Sequence, residues 1–341
     1  HNHGHEALNC FEQMRIEGLS PDAVTLVCIL NSCGRIRALE VGEQIHDAIV
    51  TTGLVGENIT IGNALVDMYA KCGVLGKALQ LHVGLPTRDT ISWNSLISGY
   101  AQQGQGHKAL DCFRWMQTEG MNPNPITFIS LLKACGSVGA IHEGIRFHND
   151  IISREFLETN DSLGNALVDM YAKCGLLGKA QDVHDQLAVH SLVSWNALIA
   201  GYAQQGRGRE ALNCFEQIKN EGLAPNGITF LSIMNACTHS GLLNEVQTYY
   251  ENMSKMYGII PNIEHHACMV SVFGYGGHFD KAMMVMKNAM PCFHRYSSIW
   301  LALLSACRKW RNIKVAHSTF NRIVESCKSI QQNDSHSFYI Y

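Results

Sequence analysis

Apolar residues between positions 90 and 124 line one side of two successive helices. They recur three or four positions apart, which is the spacing of a single helical face. The two stripes consist of Trp93, Leu96, Ile97 and Tyr100, and then of Ala109, Phe113 and Met116. Gly104 and Gly106 separate the stripes, and Gly120 with Pro123 closes the segment. Because glycine and proline interrupt helices, the pattern predicts a helix–turn–helix unit of about 35 residues.

The same pattern returns along the chain with a constant offset of 102 residues. Residues 92–97 read Ser-Trp-Asn-Ser-Leu-Ile, and residues 194–199 read Ser-Trp-Asn-Ala-Leu-Ile. Residues 63–73 recur without change at 165–175. Several residues occur in three copies: Pro21, Pro123 and Pro225; Thr25, Thr127 and Thr229; Cys33, Cys135 and Cys237. A register that is unbroken from residue 6 to about residue 240 identifies the chain as a tandem repeat.

Each 102-residue unit contains three helix pairs, in segments of 35, 36 and 31 residues. One such pair is too small to bury its own apolar face, so consecutive pairs must stack on each other. We therefore predict an all-α fold, specifically a right-handed α-solenoid (superhelix) of about nine helix–turn–helix repeats with one continuous groove.

Composition narrows the range of functions. Hydrophobic residues make up 46% of the 341 residues, charged residues only 16%, and the formal net charge is -3. This charge excludes a protein that is held to nucleic acid mainly by bulk electrostatic attraction. No apolar run approaches the roughly 18 residues of a membrane-spanning helix, so no membrane partner is expected. The chain starts at His1 without a signal or transit pattern in residues 1–30, and we expect it to be a fragment of a longer protein.

The chain has 13 cysteines but no Cys-x-x-Cys motif, and the odd count leaves at least one thiol unpaired. Many of them fall within the apolar stripes, where a free cysteine acts as a small core residue. Cys10, Cys112 and Cys214 recur at the same offset, which favours a packing role, since a catalytic residue would occur once. We expect buried, reduced thiols in an intracellular or organellar protein.

Motifs of the zinc-dependent base deaminases are absent from the sequence. These enzymes need a His-x-Glu motif and a Pro-Cys-x-x-Cys motif around a zinc-bound water. The His-Glu dipeptides at 5–6 and 142–143 also lack the second histidine of a His-Glu-x-x-His zinc site. The adjacent His265 and His266 are compatible with a metal site, although a structural pair is the simpler interpretation. We predict no catalytic residues, no metal and no cofactor, and therefore no enzyme in this chain.

The repeats resemble the pentatricopeptide repeat proteins of plant organelles, in the subclass that alternates P, L and S motifs. Residues 194–202 look like the start of a P motif, and residues 210–225 look like its second helix and closing turn. Residues 127–135 look like an L motif, and residues 165–175 look like an S motif. The tetratricopeptide repeat has a similar length, but its Trp/Leu/Gly/Tyr and Pro signature is missing.

This resemblance divides the chain into tandem repeats over 1–296 and an E-like extension over 297–330. The repeats are a P remnant 1–22, L 23–58, S 59–89, P 90–124, L 125–160, S 161–191, P 192–226, L 227–262 and a degenerate S 263–296. Trp300 and the segment 303–308 resemble the E extension that follows the repeats in editing factors. Residues 331–341 would be a truncated tail.

The family implies one-base-per-repeat reading of single-stranded RNA, by the fifth residue of each motif together with its last residue. The resulting base-reading pairs are Asn63 with Asp89, Asn94 with Asn124, Asn165 with Ser191, and Asn196 with Asn226. By the family's code, Asn/Asp favours U, Asn/Ser favours C and Asn/Asn favours either pyrimidine, so the target should be pyrimidine-rich. The second residues of these motifs would sandwich the base: Thr60, Ile91, Ser162 and Val193. The L motifs carry Val27, Ile129 and Leu231 at the fifth position and should discriminate little.

Structural alternatives stay open for several of these residues. For Asn94 and Asn196 the alternative to base reading is a role as helix N-caps, and base reading is favoured. The recurring Trp93 and Trp195 suit either a stacking platform or the core, and the core is favoured. Lys71 and its counterpart 102 residues later, Lys173, suit either the negative end of a helix dipole or a phosphate contact.

The predicted function is sequence-specific single-stranded RNA binding in a mitochondrion or plastid, as the targeting half of a C-to-U editing apparatus. A deaminase or other editing-factor partner would be recruited by the E-like region or supplied by a domain missing from the fragment. The alternatives are an RNA processing or stability factor without editing, a protein-binding solenoid scaffold, and an inactive relic.

Overall fold

A computed structural model describes residues 3–51, 58–288 and 297–321 of the chain. All regular secondary structure in these ranges is α-helical, and none of their helices is long and apolar enough to cross a membrane. The prediction of an all-α chain is therefore confirmed for the described residues. Five predicted segments lie wholly or partly outside them: 1–2 of the P remnant, 52–57 of the first L motif, 289–296 of the degenerate S motif, 322–330 of the E-like extension, and the whole tail 331–341.

The chain forms two compact units, His1–Val189 and His190–Tyr341. The helices of the first unit are Gly4–Ile16, Ala23–Ile36, Leu39–Thr51, Ile59–Lys71, Leu75–Gly84, Thr90–Gln102, Gly106–Thr118, Pro125–Val138, Ile141–Ser153, Phe156–Thr159, Asp161–Lys173 and Leu177–Asp185. Those of the second unit are Leu192–Gln204, Gly208–Asn220, Gly227–His239, Leu243–Lys255, Ile263–Tyr275, Phe279–Asn288 and Ser297–Trp310. Residues 313–321 are also helical.

Within each unit, consecutive helix pairs pack on one another through the first helix of each pair. In the first unit this first-helix layer runs through Ala23–Ile36, Ile59–Lys71, Thr90–Gln102, Pro125–Val138 and Asp161–Lys173. In the second unit it runs through Leu192–Gln204, Gly227–His239, Ile263–Tyr275 and Ser297–Trp310. Each second helix packs against its own first helix. This is the stacking that the amphipathic pairs require, since none buries its apolar face alone.

One of the two glycines predicted to break the helix pair 90–124 has a different role. Gly104 ends the first helix with a φ of 71°, a conformation that residues with a side chain rarely adopt. Gly106 is instead the first residue of the second helix. A Cβ added there would lie 2.7 Å from the carbonyl oxygen of Ala134, in the next pair. Gly106 is therefore required by close packing between pairs, and its assignment to the turn was wrong.

Both recurring tryptophans lie in the core. Trp93 is 3% exposed and Trp195 is 5% exposed. Each indole Nε1–H donates to a glutamate at the end of the second helix of its own pair: Glu119 at 3.1 Å and Glu221 at 2.8 Å. The core interpretation is confirmed, and neither ring offers a face on which a base would stack.

Most cysteines in the described residues are buried, as the apolar stripes indicate. The buried thiols are Cys33, Cys112, Cys135, Cys214, Cys237, Cys268 and Cys307. Cys10 departs from the prediction, since it is exposed whereas Cys112 and Cys214 are buried. On the helix that carries Cys10, the only buried residue is Phe11, because no earlier helix of the described residues covers it.

Burial makes these thiols poor nucleophiles. It raises the pKa of Cys33 to about 11 and that of Cys112 and Cys135 to about 12. Since the thiolate is the reactive form, we expect iodoacetamide at neutral pH to modify Cys10 and Cys28, which are both exposed, well before the buried set. Peptide mass spectrometry of native and urea-unfolded protein measures this order. Equal native labelling of Cys112 and Cys10 would contradict the buried core.

The adjacent histidines are a structural pair. His265 Nε2 lies 2.9 Å from the carbonyl oxygen of Gly227, and its Nδ1 lies 3.2 Å from the backbone nitrogen of Asn262. His266 Nδ1 lies 2.7 Å from the hydroxyl of Tyr250. Burial lowers the pKa of both imidazoles. No group of three or more potential ligands able to hold a metal occurs in the part of the chain that the structure describes.

Candidate nucleic-acid interface

The four predicted reader asparagines occupy equivalent sites within the first-helix layer. Asn63, Asn94, Asn165 and Asn196 are each the fifth residue of their helix. They lie inside the helices, one turn beyond the N-terminus, so the N-cap interpretation of Asn94 and Asn196 was wrong. Because the cap positions are filled by other residues, these amides are available for contacts between pairs.

The caps are instead the residues predicted as second reading positions. Asp89, Asn124, Ser191 and Asn226 each precede a first helix and accept a hydrogen bond from the backbone N–H three residues later. In all four cases a Ser or Thr at that third position completes a capping box. Two of these side chains, Asp89 and Asn124, also contact the preceding pair, so they serve both helix initiation and packing between pairs. The Ser/Thr three residues after each cap was a sequence signal for the capping.

The pair Asn63 and Asp89 is joined by a direct hydrogen bond. Asn63 Nδ2 donates to Asp89 Oδ2 at 2.9 Å, while Asp89 Oδ1 accepts from the backbone N–H of Ser92 at 2.9 Å. This fixes the amide so that Nδ2 faces the carboxylate. Asn63 Oδ1 is buried and has no hydrogen-bond partner in the described residues. A buried carbonyl oxygen without a donor is unfavourable, and a ligand N–H would satisfy it.

A depression of about 280 Å³ surrounds this pair. It lies between three neighbouring first helices and is lined by Val27, Asn31, Ile59, Thr60, Asn63, Ala64, Asp67, Asp89, Ile91 and Ser95. Four of the predicted site residues, Thr60, Asn63, Asp89 and Ile91, thus meet in one place. The volume far exceeds the roughly 30 Å³ that one water occupies in the liquid, so the depression has room for a ring-sized group.

The pair Asn94 and Asn124 is also hydrogen-bonded. Asn94 Nδ2 lies 3.1 Å from Asn124 Oδ1, and Asn94 Oδ1 accepts from the hydroxyl of Thr127 at 2.6 Å. Both the oxygen and the nitrogen of the Asn94 amide therefore have partners, whereas among the described residues only the nitrogen of the Asn63 amide has one.

The pair Asn196 and Asn226 differs from these. Asn226 is exposed, and within the part of the chain that the structure describes its Oδ1 accepts only from Thr229, through the backbone N–H at 3.0 Å and the hydroxyl at 3.1 Å. Asn196 Oδ1 is buried and has no hydrogen-bond partner among the described residues. Asn165 lies half-buried in the first unit, and Ser191 caps the first helix of the second unit.

The predicted sandwiching residues are all exposed at the start of their helices: Thr60, Ile91, Ser162 and Val193. Ile91 and Val193 are each 62% exposed. The sequence interpretation missed that the same position is exposed and aliphatic in the predicted L motifs, at Val24, Ile126 and Ile228. The signal was present as a β-branched residue at the second position.

The two recurring lysines are already paired. Lys71 contacts Asp67 at 2.6 Å and Lys173 contacts Asp169 at 2.7 Å, one turn apart on the same helix. Both lysines lie in the last helical turn, where they complement the helix dipole. The fifth residues Val27, Ile129 and Leu231 are half-buried and apolar.

Comparison with known proteins places these helix pairs in a family. A model described as the PPR repeat family matches residues 88–137 and 190–239, and one described as the PPR repeat matches 165–190 and 228–257. A mitochondrial pentatricopeptide repeat-containing protein of Arabidopsis thaliana is 34% identical over 98% of this chain and 59% of its own length. A chloroplastic one from the same plant is 37% identical over 92% of this chain and 42% of its length. The chain spans about half the length of these curated relatives.

Solved structures agree on the fold. The pentatricopeptide repeat protein PPR10 from maize aligns with 98% of this chain and 55% of its own, with a TM-score of 0.67 and 18% sequence identity. A second structure of PPR10, in complex with an 18-nt RNA element, aligns with a TM-score of 0.63 and 20% identity. The helix pairs, their stacked first helices and the family matches lead to one conclusion. The chain is a pentatricopeptide repeat protein of the plant type.

Proposed function

We propose that the chain binds single-stranded RNA with sequence selectivity, and that the fifth residue of a first helix reads a base together with the following N-cap. The observation that supports this most is the depression that unites Asn63 and Asp89 with Thr60 and Ile91. PPR10, which has the same fold, was solved with a bound RNA element. As a repeat protein of this family the chain is not an enzyme.

The chemistry of the depression suits a base edge. Asn63 keeps a free Oδ1 acceptor and one Nδ2 proton after its bond to Asp89. Uracil offers the complementary pattern, since its N3–H donates and its carbonyl oxygens accept. The exposed Ile91 and Thr60 at the rim would contact the faces of the ring. Near-neutral net charge makes such base contacts matter more than phosphate attraction.

Replacing Asn63 by alanine tests this readout. We expect the affinity for a pyrimidine-rich single-stranded RNA to fall by about 1–3 kcal/mol, since a base loses its bidentate partner. Fluorescence anisotropy with labelled RNA measures the loss. The matched control is Asn213→Ala, which removes an exposed amide from a second helix. A protein-binding scaffold would show no RNA binding at all, and an equal loss in both variants would argue against base reading.

The finer assignments are also proposals. We infer the P, L and S order of motifs, an E-type extension from residue 297, a deaminase or editing-factor partner, and a role in C-to-U editing in a mitochondrion or plastid. Some relatives are named mitochondrial and others chloroplastic. In the E-like segment, Ile299, Trp300, Leu303 and Cys307 pack on the core of the preceding pair, whereas Leu301 is exposed. Sequencing of transcripts that co-purify with the chain tests editing, because edited sites should adjoin the bound pyrimidine stretch.

A further inference from the structure

Thr127 lies between two predicted reading residues, although it belongs to the next helix pair. It is the third residue of the helix Pro125–Val138 and is fully buried. Its backbone N–H donates to Asn124 Oδ1 at 3.0 Å, and its hydroxyl accepts from the backbone N–H of Asn124 at 3.1 Å. The same hydroxyl oxygen lies 2.6 Å from Asn94 Oδ1 and 3.0 Å from Asn124 Oδ1.

The single hydroxyl proton can serve only one of these two oxygens. Asn124 Oδ1 already accepts from the backbone N–H of Thr127 and from Asn94 Nδ2, which fills both of its lone pairs. Asn94 Oδ1 has the Thr127 hydroxyl as its donor, and that contact is the shorter of the two. The proton therefore belongs to the bond with Asn94.

We propose that Thr127 is a positioning residue for base readout by Asn94. Its hydroxyl holds Asn94 Oδ1 while Asn124 holds Asn94 Nδ2, so the amide is fixed before RNA arrives. One Nδ2 proton and one lone pair of Oδ1 remain for the base. Specificity at this step is then set by three residues, the third of which comes from the following pair. This inference rests on the proposed RNA-binding function and deepens it.

The chain contains an internal comparison in which the same three residue types behave differently. At the 102-residue offset stand Asn196, Asn226 and Thr229. Thr229 is equally buried and makes the same capping box, with bonds of 3.0 and 3.2 Å to Asn226. Its hydroxyl, however, lies 3.1 Å from Asn226 Oδ1, and Asn196 Oδ1 has no hydrogen-bond partner in the described residues. Thr229 therefore completes the capping box of its helix without holding the Asn196 amide.

The test compares Thr127→Val, which keeps the shape and removes the hydroxyl, with Thr127→Ser, which keeps the hydroxyl. Each base in the pyrimidine core of a short single-stranded RNA is changed in turn to adenine, and the affinity ratio is measured. Asn94→Ala identifies the base that Asn94 reads, because the ratio collapses only at that position. This affinity ratio does not depend on the active fraction of the protein, so it can also be measured for a variant that is partly unfolded.

We expect Thr127→Val to lower the pyrimidine-over-adenine ratio at that base about two- to tenfold, as loss of one buried hydrogen bond implies. Thr127→Ser should retain the ratio. Thr229→Val loses the same cap bonds but should leave the ratio at the base read by Asn196 unchanged. An unchanged ratio in Thr127→Val, or an equal drop in Thr229→Val, overturns the role of Thr127 but leaves the proposed RNA binding intact. Failure of the unmodified chain to bind any pyrimidine-rich RNA overturns the proposed function as well.

Discussion

Replacing Trp93 by alanine should lower the free energy of unfolding of the chain by about 3–5 kcal/mol, which is typical of a buried aromatic residue removed from a core. The indole is 3% exposed, and its ring centroid lies 4.2 Å from that of the buried His82. Its Nε1–H donates to Glu119, which also holds a salt bridge of 2.8 Å to Arg88. The substitution therefore leaves a cavity and removes the hydrogen bond that joins the first helix to Glu119 at the end of the second. Urea unfolding followed by circular dichroism measures the loss.

The chain supplies a matched control for this prediction. Trp115 lies on the second helix of the same pair and is 50% exposed. Because an exposed side chain loses little when it is truncated, Trp115→Ala should change the free energy of unfolding by about 0.5 kcal/mol or less. Equal effects of the two substitutions would contradict the assignment of Trp93 to the core.

The fold could be predicted from the sequence because the repeat presents the same local signals several times. The apolar stripes determine which face of each helix is buried. In the segment 90–124, Gly104 marks the end of the first helix and Pro123 marks the end of the pair. One glycine was misassigned because its requirement comes from another helix pair. Gly106 avoids the backbone of Ala134, and no pattern within residues 90–124 reveals that approach.

The candidate site could be predicted only in part, for a related reason. Residue spacing places Asn63 and Asn94 on the same face of successive first helices, and the family resemblance pairs them with Asp89 and Asn124. Neither gives the hydrogen bonds that each amide makes. The asparagine side chains reach partners 26 and 30 residues away, at Asp89 and Asn124. The Thr127 hydroxyl contacts Asn94 Oδ1, but the identical residues 102 positions later, Thr229 and Asn196, do not make this contact. Such contacts depend on the distance between pairs, which the periodicity of the sequence does not contain.

Replacing Asp89 by serine should change which base is read without unfolding the helix that Asp89 caps. Serine is an effective N-cap, and Ser191 caps the equivalent helix of the next repeat in the same way. The substitution converts the reading pair Asn63/Asp89, which the family's code assigns to U, into an Asn/Ser pair, which the code assigns to C. The preference at one base should then move from U to C by roughly 1–3 kcal/mol.

Asp89→Ala serves as the control for this substitution. Alanine removes both the cap and the partner of Asn63 Nδ2, so it should weaken the helix by about 1 kcal/mol and lower selectivity without creating a new preference. Circular dichroism of both variants separates the change in stability from the change in readout.

We expect neighbouring helix pairs to read successive bases through amide side chains held against the following N-caps. Selection of a randomised single-stranded RNA pool on the unmodified chain and on Asp89→Ser, followed by sequencing, tests it most directly. The expected result is two pyrimidine-rich motifs that differ at one position, with U for the unmodified chain and C for the variant. Identical motifs, a uniform loss of enrichment at every position, or no enrichment of RNA by either protein would contradict it.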